Sequence, residues 1–163
     1  MRVALGSDEK TTLTDALVED LRRRGHDLVL FGPIAEGDVD VDWPLTSGRV
    51  AEAVASGRAD EGIVCCWTGT GASIAANKVR GVRAALCHDA ETAKGARVYN
   101  HANVLALSLR ATSPAVAKEI LDAWFSTPWS GDEWNTTQIG RVRALEDATA
   151  DPGRSTAPRR SDR

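Results

Sequence analysis

Five short apolar runs alternate along this chain with stretches patterned for helix, and that alternation constrains the fold more than any other feature. The runs are RVALG at 2–6, DLVLF at 27–31, GIVCC at 62–66, VRAALC at 82–87 and VLAL at 104–107. Residues 11–24 place Leu13, Ala16, Leu17 and Leu21 at helical spacing, with Gly25 as a stop just beyond. Pro44 opens a second helix to about residue 56, and 90–98 reads as another. Ser113 and Pro114 start a further helix to about 125, and a last one is expected at 138–148. Strands separated by helices predict an α/β fold, a parallel sheet of five strands covered on both faces. In such sheets ligands bind beyond the carboxyl ends of the strands. That rule selects Gly6-Ser7-Asp8-Glu9, residues 66–71, His88-Asp89 and Ser108-Leu109-Arg110 as the candidate rim.

Length and composition narrow the function. The 163 residues suit one domain, 1–148, followed by a Pro-, Ser- and Arg-rich tail at 149–163 that is expected to be disordered. A net charge of −3 gives no global footprint for nucleic acid, and no apolar run is long enough to span a bilayer. The first residues turn polar too early for a secretory signal. Three cysteines, two of them adjacent, make a poor disulfide framework and offer no CxxC pair for zinc. The expectation is a reduced, cytoplasmic protein with no bound metal. The acidic loop at 36–42 and the basic run at 22–24 read as solvated, and His26 as structural or exposed. His88 and His101 read as solvated loop residues, with His88 the more suspect because it directly follows a strand.

The chemistry concentrates in CCWTGTGASIAANK, residues 65–78. Cys65 and Cys66 are consecutive on a strand and so point to opposite faces. Cys66 stands last before the turn, which makes it the candidate reactive thiol, while Cys65 packs. The turn from Trp67 through Thr68, Gly69 and Thr70 to Gly71 offers backbone N–H groups where negative charge could develop. Oriented N–H dipoles favour a thiolate, although free cysteines are also commonly plain core residues. Neither a dinucleotide fingerprint nor a phosphate-binding GKS/GKT loop is present, so a nucleotide cofactor is not expected.

The motifs taken together resemble one family. A strand followed by Gly6-x-Asp8, then Asp42-Trp43-Pro44, Cys66-x-Thr68-Gly69-x-Gly71-x-Ser73-Ile74-Ala75-Ala76-Asn77-Lys78, Gly81-Val82-Arg83-Ala84 and Asn100-x-x-Asn103-Val104-Leu105-Ala106 occur in order. This pattern, spanning residue 2 to about 146, resembles the ribose-5-phosphate isomerase B and galactose-6-phosphate isomerase family. The resemblance implies a Rossmann-like three-layer sandwich, a homodimer or dimer of dimers with interface active sites, and cofactor-free aldose–ketose isomerisation of a sugar phosphate through a cis-enediolate. It implies Cys66 as the base, with Thr68 and the N–H groups of Gly69, Thr70 and Gly71 holding the enediolate. Asp8 and Asn100 would contact substrate oxygens. Ser7, Glu9, Trp43, Trp67, Ser73 and His101 would line the substrate pocket. Arg110 and Arg141 would bind phosphate, Arg141 reaching the neighbouring subunit's site.

Departures from the family pattern bear on the substrate. Tyr99 stands where ribose-5-phosphate isomerases carry a ring-opening histidine, and Glu9 where a histidine often follows the Asp. Trp67 replaces a small residue, Trp43 replaces a tyrosine, and an arginine expected near Trp134 is missing. Either Tyr99, His101 or His88 takes over ring opening, or the substrate needs none, as for a tetrose 4-phosphate that cannot close a furanose ring. A non-catalytic sugar-phosphate-binding homologue and an enzyme for an unphosphorylated sugar are the alternatives.

Overall fold

The computed structural model describes residues 1–150, with the side chains of 149 and 150 left aside. Its elements are β1 (Arg2–Ser7), α1 (Thr12–Arg23), β2 (Asp27–Phe31), α2 (Trp43–Ala55), β3 (Glu61–Cys66), α3 (Thr70–Ala76), β4 (Ala84–Leu86), α4 (Ala90–Asn100), β5 (Val104–Ser108), α5 (Pro114–Ser126) and α6 (Glu133–Ala150). The five strands pair in parallel in the order β2-β1-β3-β5-β4. The expected three-layer α/β sandwich is therefore what the chain adopts. None of the described helices is long and apolar enough to cross a membrane.

Each connection lays its helix where a right-handed crossover requires. The backward steps, β1 to β2 and β4 to β5, put α1 and α4 on one face with α5. There Leu13, Leu17 and Leu21 pack with Ala93, Ala96, Ile120 and Trp124 against Leu5, Ile63 and Leu105. The forward steps put α2 and α3 on the other face, where Val50, Ala51, Ala72 and Ala76 cover Ala4, Val64 and Ala106. The chain reverses direction between the neighbours β1 and β3. Their carboxyl ends frame a topological switch point, the crevice where open α/β sheets bind ligands.

Two elements depart from expectation. The strand expected over 82–87 pairs only from Ala84 to Leu86, because Val82 is in a turn on Val79 and the Arg83 N–H goes to the Asn103 side chain (2.7 Å). On the outer edge of β4 the Asn77 amide donates to the Ala84 carbonyl (2.8 Å) and accepts from its N–H (2.9 Å). Asn77 thus blunts an edge strand that would otherwise offer pairing groups to another chain. The last helix begins at Glu133 rather than 138, since Asp132 accepts the Asn135 N–H (2.9 Å) as a helix-starting carboxylate. That bond and the Ser130 hydroxyl hold Asp132 well below the usual carboxylate range, at about 2, the Ser130 contribution being the larger. The helix runs to Ala150, past the expected boundary at 148; the tail from 151 on lies outside the described residues.

Candidate active site

Three adjacent strands bring the predicted rim together. Ser7 pairs with Cys65 and Cys66 with Ser108, so Asp8, Cys66 and Arg110 follow side by side from the ends of β1, β3 and β5. The rim is braced by backbone bonds. The Cys66 carbonyl accepts from Gly69 (3.1 Å) and Leu109 (3.0 Å), and the Trp67 carbonyl from Arg110 N–H (3.1 Å) and the Ser108 hydroxyl (3.0 Å). Ser108 is buried and ties the two loops; it is a bracing residue that only its place at a strand end betrays.

The two neighbouring thiols divide as their strand parity predicts. Cys65 is buried among Leu105 and Leu107, and burial pushes its thiol far up, with Cys66 and Asp8 adding to it. Cys66 faces the α2–α3 side and is only 5% exposed. Its sulfur accepts a hydrogen bond from the Ala72 backbone N–H at 3.4 Å, so negative charge on Sγ has a donor already aimed at it. Gly69 makes this turn possible. Its φ of +76° suits glycine, and a Cβ there would lie 2.9 Å from the Leu107 backbone. The Thr70 and Gly71 N–H groups open α3 without intrahelical partners. Thr68 and Thr70 are exposed and share a hydroxyl–hydroxyl bond of 2.7 Å. The Trp43 indole lies across Gly71, 3.1 Å from where a Cβ would stand, and roofs the turn. Trp67 and Glu9 are exposed beside it.

Asp8 carries the electrostatic signal. Its Oδ1 is buried without a hydrogen-bond partner among the described residues. Burial raises its pKa above the ordinary value, Glu9 adds to the rise, and backbone N–H groups oppose it. Leaving a carboxylate oxygen buried and unpaired is costly, and the Asp8 oxygen is free to accept from a donor outside the chain.

Several predicted site residues are elsewhere or otherwise engaged. Ser7 is fully buried, and its hydroxyl donates to the Glu9 carbonyl (2.7 Å), so it shapes the loop that carries Asp8 instead of facing a ligand. Ser73 reaches back to the Ala84 carbonyl (3.4 Å) and docks α3 on β4. His101, expected as a solvated residue in reach of substrate, is buried: its Nε2 bonds the Ser130 carbonyl (2.8 Å) and its ring stacks on Trp129. Tyr99 and Asn100 are exposed at the end of α4, which runs back to the amino-terminal edge of the sheet. The length of β3, about 17 Å at the usual rise per residue, separates that edge from the Cys66 rim. Arg141 is also away from the rim, exposed on α6 and bonded to Gln138 (3.0 Å). One chain alone therefore does not gather its own set.

The family model for ribose/galactose isomerases matches residues 3–142. The chain belongs to the ribose/galactose isomerase family. Its reaction class is that of an aldose–ketose isomerase. It is 37% identical over 146 residues to ribose-5-phosphate isomerase B of Escherichia coli, covering 89% of this chain and 96% of that one. It is 35% identical over 132 residues to D-erythrulose-4-phosphate isomerase of Pectobacterium atrosepticum, covering 80% of this chain and 86% of the relative. Among solved structures, ribose-5-phosphate isomerase B of Clostridium thermocellum superposes with a TM-score of 0.84 at 38% identity, over 91% of this chain and 99% of that one.

Proposed function

We propose that this isomerase interconverts the aldose and ketose forms of a four- or five-carbon sugar phosphate, without a cofactor, through a cis-enediolate. The observation that carries the reading is the Cys66 sulfur under the Ala72 N–H, with the unpaired buried oxygen of Asp8 following from the end of the neighbouring strand. The Cys66 thiolate takes the proton from the carbon next to the carbonyl. The electron pair moves into the enediolate, whose oxygen is held by the Thr68 hydroxyl and the N–H groups of Thr70 and Gly71, the Gly69 N–H being engaged by the Cys66 carbonyl. A proton passes between the two oxygens, and the thiol returns its proton to the neighbouring carbon. The substrate is both oxidised and reduced internally, so no external redox partner enters the balance. Asp8 accepts a substrate hydroxyl with its free oxygen, and Arg110, on the same rim, faces the phosphate.

The site is shared between two copies. Tyr99, Asn100 and Arg141 are too far from their own Cys66, so in a homodimer they complete the partner's site. Trp43 packed on Gly71 and exposed Trp67 narrow the pocket, which favours a tetrose phosphate that needs no ring opening. The test is incubation in D₂O with erythrose 4-phosphate, erythrulose 4-phosphate, ribose 5-phosphate, galactose 6-phosphate and the unphosphorylated sugars. Deuterium entering the carbon next to the carbonyl of a tetrose or pentose phosphate supports the reading and gives the preferred chain length, whereas exchange confined to galactose 6-phosphate or to unphosphorylated sugars overturns it. Binding without exchange across the whole panel overturns it in favour of a non-catalytic binding protein.

A further inference from the structure

We propose that Glu61, Arg97 and Trp129 are positioning residues that fix the Tyr99–Asn100 edge this chain presents to its partner's site. The inference rests on the shared-site reading above. Glu61 opens β3, and Arg97 lies in the last turn of α4; both are buried. The Arg97 guanidinium pairs with Glu61 (2.7 Å) and donates to the Ala102 carbonyl (2.7 Å) and the Thr127 carbonyl (3.3 Å). The second Glu61 oxygen accepts the Trp124 indole N–H (2.5 Å). Arg97 is sandwiched by rings, 5.0 Å from the Trp124 centroid and 5.4 Å from that of Trp129.

Further contacts hold residues 101 and 102, which directly follow the Tyr99–Asn100 edge. Trp129 donates to the Ala102 carbonyl (3.3 Å) and stacks on His101 with the planes 2° apart. Arg83 donates to the His101 carbonyl (2.8 Å). His101 is held at a φ of +47°, the one positive φ on a non-glycine among the described residues, and this left-handed residue ends α4 directly after the exposed Tyr99 and Asn100. A strained turn persists only when its surroundings over-determine it. Here charge, indole N–H groups and stacked rings do so, next to two exposed side chains that make no use of the rigidity within their own chain. Strand β3 thus carries the base at one end and, at the other, the anchor of the edge supplied to the second copy.

The experiment mixes full-length variants pairwise under subunit exchange and follows deuterium entry into ribose 5-phosphate and erythrulose 4-phosphate. Glu61→Gln alone should lower kcat/KM by about 10- to 100-fold, as expected when a contacting group shifts by a fraction of an ångström to an ångström. Mixed with Cys66→Ala, it should recover toward about a quarter of wild-type activity, because mixed dimers have one site with an intact thiol and an intact edge. Mixed with Asn100→Ala, it should recover nothing, since both variants spoil the same edge. A general loss of stability would not choose between these partners. If Glu61→Gln fails to fold, Trp129→Leu, at a residue 44% exposed, must show the same pairing pattern. Wild-type activity in the single variants, or recovery with Asn100→Ala and not with Cys66→Ala, overturns the proposal. The control pair, Cys66→Ala with Asn100→Ala, separates the two ideas: failure there overturns the shared site and this proposal with it, whereas recovery there leaves a failure of Glu61→Gln to count against the proposal alone.

Discussion

Replacing Gly69 by alanine tests whether the turn over Cys66 is as closely fitted as its geometry says. The φ of +76° costs an L-residue about 1–2 kcal/mol. The new methyl would also stand 2.6 Å from Leu86 Cδ1 and 2.9 Å from the Leu107 carbonyl carbon and oxygen. Leu86 is able to rotate away, but the backbone of β5 is held between β3 and β4, so the turn must yield, at about 1–3 kcal/mol for overpacking. The total, about 3 kcal/mol, corresponds to a fall in Tm of about 6–12 °C for a domain of this size. Gly57→Ala is the control: its φ is +73° and nothing lies within 4 Å of its Cβ, so it carries the conformational cost without the clash. Gly57→Ala should fall by about 2–8 °C and keep wild-type kcat/KM. Gly69→Ala should lose about 100-fold in kcat/KM as well, because the N–H groups of the turn move with respect to the sulfur. Calorimetry and deuterium exchange on both variants measure the two effects. If Gly69→Ala matches Gly57→Ala in both, the turn does not position the reaction and the reasoning fails.

Asp8→Asn should raise stability at neutral pH while abolishing turnover. Because burial raises the Asp8 pKa, the folded state holds this proton more tightly than the unfolded chain, so stability falls as pH climbs from the usual 3.8 through the folded value. The Asn variant lacks that loss, and its Tm advantage should close as pH drops below 3.8; equal Tm values at pH 7 would contradict this. Asn77→Ala should cost about 1–3 kcal/mol by freeing the Ala84 N–H and leaving the Ala84 carbonyl only the Ser73 hydroxyl at 3.4 Å, read as a lower denaturation midpoint at unchanged m. Tyr99→Phe should slow turnover of ring-closing ribose 5-phosphate and leave erythrulose 4-phosphate untouched if the tyrosine opens rings; equal slowing of both would assign it to binding instead.

The layers and the rim were legible because they depend on local pattern. The alternation of apolar runs with helical stretches specifies a parallel sheet, and strand parity puts Cys65 and Cys66 on opposite faces, with the turn that follows Cys66 singling it out. What escaped depends on contacts distant in sequence. Glu61 and Arg97 each look like a charge at the end of an element, and only the fold shows them paired 36 positions apart beneath two tryptophans. His101 reads as a loop histidine because the residue that buries it, Trp129, arrives through α5. Asp132, three residues before Asn135, carried the start signal of α6 in plain sequence, and the apolar pattern beginning later obscured it. The division of the site between two edges of the sheet has no local signature, since it follows from α4 returning antiparallel to the strands it connects.

The most direct test of the account sets Cys66→Ala beside Cys65→Ala and follows solvent deuterium into the carbon next to the carbonyl of the preferred sugar phosphate. Both variants remove a buried thiol from neighbouring positions on β3, so the loss of packing is similar. The account predicts exchange abolished in Cys66→Ala and retained within a few-fold in Cys65→Ala. Exchange persisting at the wild-type rate in Cys66→Ala would show that another group moves the proton and would contradict the assignment of the base.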